Sequence, residues 1–274
     1  MLKDITLGQY YQTESLIHKL DPRVKLVTTI VFIISLFTFK GFVGYAIAGL
    51  FLLMAIKMSH VPFKFMVKGM KAIVFLLMIT VVFNLFLTPG EPIVSIWKLT
   101  ITDEGLTLAV KMAIRLCFLI IGSSIMTLTT TPNQLTDGLE SLMKPLNKIK
   151  VPVHEIAMMM SIALRFIPIL LEETDKIMKA QIARGADFES GNIFKRAKNM
   201  VPLLVPLFIS AFRRANDLAM AMEARCYRGG DNRTKMKPLK YENRDRIAYC
   251  VVLIYFIGGI CIGNLFQGYG IELL

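Results

Sequence analysis

The sequence predicts an all-α, polytopic membrane protein, with about five transmembrane helices and long amphipathic helices between the fourth and fifth spans. Three observations carry this reading. Hydrophobic residues make up 54% of the 274 and charged residues only 19%, and the mean hydropathy is +0.56; a soluble domain sits near about 45–50% apolar. The apolar residues fall in runs long enough to cross a bilayer. The cations, 32 Lys and Arg against 20 Asp and Glu, are shared unevenly among the loops. Disorder is excluded, because it needs low hydrophobicity. A basic cytoplasmic membrane face explains the net charge of +12 better than nucleic acid does.

The first 20 residues contain Lys3, Asp4, Glu14, His18 and Lys19. They are too polar for a signal-peptide core, so no cleavage is expected. Leu26–Ile56 holds a single charge, Lys40, beside Gly41. As one helix it would be about 46 Å long, so two helices broken at Lys40-Gly41 fit the bilayer better. Asp21-Pro22 supplies an N-cap and a first-turn proline for the first of them. Lys25 and Lys57 are expected to snorkel. Val67–Leu87 is the next span, with Lys68 and Lys71 in its first turns. Leu106–Leu128 follows, apolar except for Lys111 and Arg115 on one face; snorkelling or a polar contact within the bundle accounts for that pair. Asn84 is expected to bond another helix. Ile247–Phe266 is a span without any charge.

The positive-inside rule tests this order. Segment 1–25 carries four Lys/Arg, the turn at Lys40 one, 57–71 four, 88–105 one, 129–246 twenty, and the tail after Phe266 none. The alternation places the N-terminus in the cytoplasm and the C-terminus outside. The chain then divides into 1–128 (cytoplasmic start and four spans), 129–246 (a cytoplasmic helical domain) and 247–274 (the last span and an external tail). The cysteines Cys117, Cys226, Cys250 and Cys261 form no CxxC pair and read as buried small hydrophobes.

Residues 129–246 are too many for a structureless loop. A short helix is expected from Pro132 to about Met143. A long one over Val153–Ile182 is interrupted at Pro168, and another covers Phe194–Arg225 with Pro202 and Pro206 near its start. Val153–Leu171 holds Glu155, Arg165 and a proline, and Val201–Phe212 is short. Neither reads as an ordinary span; both read as amphipathic helices under the bundle. Met158, Met159 and Met160 in a row are core filling or an adaptable surface for a partner. The long helices end alike, in Ala183-Arg184-Gly185 and Ala224-Arg225-Cys226. A basic last turn and a following glycine are ordinary helix stops. Two such ends on one side of the membrane also form a paired device, because arginine offers a planar fork to carboxylates or carbonyls.

No GxxxxGK[ST], HExxH or GxSxG occurs, and His18, His60 and His154 have no metal-ligand spacing. Glu172, Glu173 and Asp175 read as a solvated face, with no partner for acid–base work in view. A membrane chain with two basic helix tips and no energy-harvesting motif reads as a mechanical coupler. A membrane enzyme would need Glu172, Glu173 or His154 to share a cleft. A permease would need a polar path, for which only Asn84, Lys111 and Arg115 qualify.

Four stretches carry a resemblance: His-Lys-Leu-Asp-Pro-Arg-Val-Lys-Leu at 18–26, Ala-Leu-Arg-Phe-Ile-Pro at 163–168, Ala-Gln-Ile-Ala-Arg-Gly at 180–185, and Ala-Met-Glu-Ala-Arg-Cys-Tyr at 221–227 followed by Arg233-Thr234. In these, and over nearly its whole length, the chain resembles the transmembrane T components of energy-coupling factor (ECF) transporters, the ABC-type vitamin importers of prokaryotes. The resemblance implies a multi-pass protein of the prokaryotic cell membrane. Its partners would be two ABC-type ATPase subunits and a membrane-embedded substrate-binding S component. Arg184 and Arg225, each with its neighbours Ala183 and Gly185 or Ala224 and Cys226, would dock the ATPases. Met158, Met159, Met160, Pro168, Pro202 and Pro206 would face the S component or permit its movement. The chain would bind no cofactor or metal itself; ATP and magnesium would sit on the partner subunits. A shared module serving several S components is preferred to one dedicated to cobalt, nickel or biotin, and a membrane enzyme is the remaining alternative. Cys226 departs from the glycine usual in the family, so that helix end is expected to need a different cap.

Overall fold

Asp21 starts the first helix as the sequence requires. Its side chain accepts from the Arg23 backbone N–H at 2.8 Å, and Pro22 occupies the first turn. This computed structural model describes residues 10–39, 41–70, 73–89, 92–96, 99–188, 192–230 and 236–268. The elements in chain order are α1 (Pro22–Thr38), α2 (Gly41–Ser59), α3 (Phe63–Met70), α4 (Val74–Leu87), β1 (Pro92–Ile96), β2 (Leu99–Thr102), α5 (Asp103–Thr129), α6 (Pro132–Met143), a 3-10 turn (Lys144–Ile149), α7 (Val153–Ala183), α8 (Ile193–Ala224) and α9 (Asn243–Gly268). Lys3, Asp4, Lys40, Lys71, Lys98 and Arg233-Thr234 lie outside the described residues. Backbone contacts divide the chain into two compact units, one holding Leu139–Pro238, the other Gly8–Gly138 with Leu239–Leu274.

The second unit is a helical bundle of α1, α2, α5 and α9 around one apolar core. Phe32, Leu36, Phe39, Tyr45, Leu52, Ile121, Ile125 and Tyr255 are buried in it. Phe51 stacks on Tyr255 with ring centres 4.2 Å apart. The Ser35 and Tyr255 hydroxyls share a 2.6 Å hydrogen bond from α1 to α9. Around this core the surface is strongly apolar: Phe75, Leu50 and Ile254 are 72%, 70% and 70% exposed. Side chains of that kind on so many helices need a lipid surround. Among the described residues four helices are, by length and composition, long and apolar enough to cross a membrane: α2, α5, α7 and α9 over Asn243–Gly263.

The run Val67–Leu87 is not one helix. It is described as α3, which ends at Met70 and buries Met66 completely, and α4, which starts at Val74. At 14 residues α4 is about 21 Å long and α1, at 17, about 26 Å, both under the bilayer core of about 30 Å. Conversely α7, expected as an amphipathic helix, is long and apolar enough to cross a membrane, because only Glu155 and Arg165 charge its first 18 residues. The segment 88–105, read as a loop, contains an antiparallel hairpin pairing Ile96 with Leu99 and Ser95 with Thr100, irregular between Pro92 and Val94. Its Ile, Val and Thr content is the strand signal.

Lys25 does not snorkel. It is 6% exposed, and its Nζ donates to the Thr129 carbonyl at 2.8 Å and to that of His18 at 3.1 Å. A cation thus meets the carbonyl end of α5, where the helix dipole favours it. Lys111 and Arg115 turn to aromatic rings: Lys111 Nζ is 5.2 Å from the Phe42 ring centre, and the Arg115 guanidinium is 5.1 Å from that of Phe37. Arg115 Nε also donates to the Tyr45 hydroxyl at 3.0 Å. Asn84 bonds within its own helix, donating to the Thr80 carbonyl at 2.8 Å. The cysteines are free thiols and not buried: Cys226, Cys250 and Cys261 are exposed and Cys117 half-buried.

Candidate functional site

All the residues singled out on the long helices lie in the unit Leu139–Pro238. α6 begins with a reciprocal cap, Thr131 N–H donating to Gln134 Oε1 and Gln134 N–H to Thr131 Oγ1. α7 and α8 are each continuous through their prolines, so the expected interruption at Pro168 does not occur. A proline inside a helix leaves the carbonyl four residues earlier without its N–H. For Pro206 that carbonyl is Pro202, and the Gln181 side-chain amide on α7 donates to it at 3.4 Å.

The two helix ends have one geometry. At the first, Gly185 N–H donates to Ile182 O (2.9 Å) and Ala186 N–H to Gln181 O (3.0 Å), with Gly185 at φ +87°. At the second, Cys226 N–H donates to Glu223 O (2.8 Å) and Tyr227 N–H to Met222 O (3.1 Å), with Cys226 at φ +55°. Both are the paired-bond motif in which a left-handed residue closes the helix. Cys226 therefore adopts the cap that its glycine counterpart uses, against the expectation of a different one, and carries the conformational cost that glycine avoids. Ala183, Arg184, Gly185, Ala224, Arg225 and Cys226 are all exposed.

The helices run antiparallel. Met158 and Ile162, early in α7, line one hollow with Met222, Arg225 and Tyr227 at the end of α8. Midway, Glu173 Oε1 accepts from the Ser210 hydroxyl at 2.5 Å and Glu173 Oε2 from Arg214 at 2.9 Å. Further on, Gln181 reaches Pro202. Met159 and Met160 are 57% and 41% exposed. Glu173 is thus paired across the two helices, its side chain 23% exposed, whereas Glu172 is exposed. His154 Nδ1 lies 3.0 Å from Glu140 Oε1. Gly230 packs so closely on the His154 ring that a side chain there would clash with it. His154 and Glu173 are nineteen residues apart on one helix, about 28 Å, so they do not share a cleft.

Ser210, Arg214 and Glu140 make contacts that the sequence alone does not mark. Ser210 and Arg214 are four apart and share a helix face, which is legible. Their partner, 37 and 41 residues away, is not.

The profile of a family described as cobalt transport protein matches residues 13–236. A protein of Clostridium kluyveri named energy-coupling factor transporter transmembrane protein EcfT is 58% identical over 97% of both chains. A protein of the same name in Bacillus subtilis is 47% identical, over 89% of this chain and 93% of its own. The one from Thermosediminibacter oceani is 52% identical over 94% and 98%. This chain belongs to the energy-coupling factor transporter transmembrane protein family. It is a multi-pass membrane component of a transporter, as its apolar helices and the names of its relatives agree.

Proposed function

We propose that this chain is the non-catalytic coupler of an ECF-type importer. It passes the movement of two ABC-type ATPase subunits, as they bind and hydrolyse ATP, to a membrane-embedded S component, which reorients and releases its substrate into the cytoplasm. The observation that carries this is the pair of exposed Ala-Arg ends with one cap geometry on two antiparallel helices. Equal ends suit equal partners. Arg184 and Arg225 are the docking groups, with Ala183, Gly185, Ala224 and Cys226 allowing close approach. Met158 to Met160, Pro168, Pro202 and Pro206 form the surface that meets the S component. On the charge alternation the N-terminus is inside, the C-terminus outside and segment 129–246 cytoplasmic; α7, though long and apolar enough to cross, then lies against the membrane, because crossing it would put the basic stretch 176–200 outside. ATP and magnesium belong to the ATPases, and no cofactor to this chain. On this reading the chain is a shared module serving several S components rather than one dedicated to a single metal or vitamin; the description of the matching family, cobalt transport protein, is the finding that favours a dedicated one.

Co-purification tests this. The chain is expressed with its ATPase pair, solubilised, and compared with Arg184→Glu, Arg225→Glu and the double variant. Reversing a buried docking charge costs about 2–5 kcal/mol. The wild type should retain both ATPases and the double variant neither. Equal retention by all forms would reduce the arginines to helix stops.

A further inference from the structure

The contact of Glu173 with Ser210 and Arg214 stands at a special place on the two helices. Glu173 precedes Arg184 by eleven residues, and Arg214 precedes Arg225 by eleven. Eleven residues are three turns and about 16 Å, and they return to within about 20° of the same face. Each docking arginine thus lies three turns beyond its own member of the Glu173–Arg214 pair, on nearly the same side of its helix. Because the helices are antiparallel, the two arms point opposite ways from that pair. Neither arm, 173–184 or 214–225, contains a proline or glycine; Pro168, Pro202 and Pro206 all precede the brace in their own helices, Pro202 lying alongside the first arm where Gln181 reaches its carbonyl. Each arm is therefore uninterrupted helix from the brace to its capped tip.

We infer that the Glu173–Arg214–Ser210 brace is the fulcrum of the coupler: it lies on a local two-fold axis that exchanges α7 with α8 and Arg184 with Arg225, and it sets the separation of the two tips to match a two-fold-symmetric pair of ATPases. This deepens, and rests on, the coupling role proposed above. An isologous dimer presents two copies of one groove related by a two-fold axis. Two equal, rigid arms about a fixed crossing can fill both grooves in register; two arms sliding past each other cannot. Glu173 and Arg214 are positioning residues that act through the tips.

The tip separation is measured by double electron–electron resonance in the full chain. Nitroxides are placed at Ile182→Cys and Glu223→Cys, two residues before each arginine. The background carries Cys226→Gly and serine at the other native cysteines. Uptake per ATP hydrolysed is measured in the reconstituted complex. The wild type should give one narrow distance. Glu173→Ala and Arg214→Ala should each broaden or shift it and lower the uptake ratio about fivefold, while both ATPases still co-purify. Exchanging the charges, Glu173→Arg with Arg214→Glu, should restore the narrow distance and most of the ratio, a rescue that loss of folding would not permit. Unchanged distance and uptake ratio in both alanine variants would overturn the fulcrum. So would an exchange that recovers neither. If the ATPases fail to bind even the unaltered chain, the coupling role falls instead, and the distance measurement on the chain alone still decides whether the brace fixes the tips.

Discussion

Cys226 holds a backbone angle that glycine adopts freely and a side chain resists, because Cβ approaches the following carbonyl. The two hydrogen bonds that close α8 require it. Cys226→Gly should stabilise the chain by about 0.5–1 kcal/mol, after allowing for the entropy glycine adds to the unfolded state, and Cys226→Val should destabilise it; thermal unfolding in detergent reads both. His18 makes the other residue-scale case. Its Nε2 is 3.0 Å from the Tyr11 carbonyl, which only accepts, so Nε2 carries the proton and Nδ1 accepts from the Ser15 hydroxyl at 2.7 Å. Burial holds the imidazole below its ordinary range, aided by the Lys25 charge and opposed by the carbonyl bonds. The unfolded chain therefore binds the proton more readily. Stability should fall as pH drops through the ordinary imidazole range and level off below the lowered value. A His18→Asn variant should show a shallower fall when melting temperature is followed against pH.

At the scale of elements, polar groups tie helices that the apolar core brings together. Asp245, at the start of α9, accepts from the Asp21 N–H at 2.9 Å and from the Glu242 N–H at 2.8 Å. It joins the starts of α1 and α9, which are 224 residues apart. Asp245→Ala leaves the buried Asp21 N–H unpaired and should cost about 1–3 kcal/mol, measured by thermal or chemical unfolding in micelles. Arg115 is held by Tyr45 and the Phe37 ring. Tyr45→Phe removes the acceptor and should cost about 1–2 kcal/mol, and replacing Arg115 by Met should cost less than removing its partner, since an apolar side chain needs none.

For the whole molecule the decisive physics is the solvent. Large apolar side chains lie exposed on α2, α4 and α9, which water would penalise and lipid does not. The proposed orientation predicts a labelling pattern. Cys226 is exposed beside Arg225, whereas Cys250 and Cys261 sit on α9 among exposed Leu253, Ile254 and Ile257. A membrane-impermeant maleimide should modify Cys226 in inside-out vesicles and not in intact cells, and should spare Cys250 and Cys261 in both.

By itself the sequence determined what is local. Asp21-Pro22 starts a helix wherever it lies, Thr131-Pro-Asn-Gln134 caps one, and α7 and α8 begin and end within a residue or so of their apolar patterns. The runs of apolar residues and the alternating loop charges establish a multi-pass chain, because both follow from the transfer of single residues into lipid. Only the tertiary structure decided what is shared between distant segments. Glu173 looks like a solvated acid until α8 folds back and sets Ser210 and Arg214 against it. Lys25 looks like a snorkelling cation until the end of α5 offers it a carbonyl. Val67–Leu87 looks like one span until α3 turns Met66 into the core. Such contacts join residues tens to hundreds of positions apart, and the free energy that selects them exists only when both sides are in place.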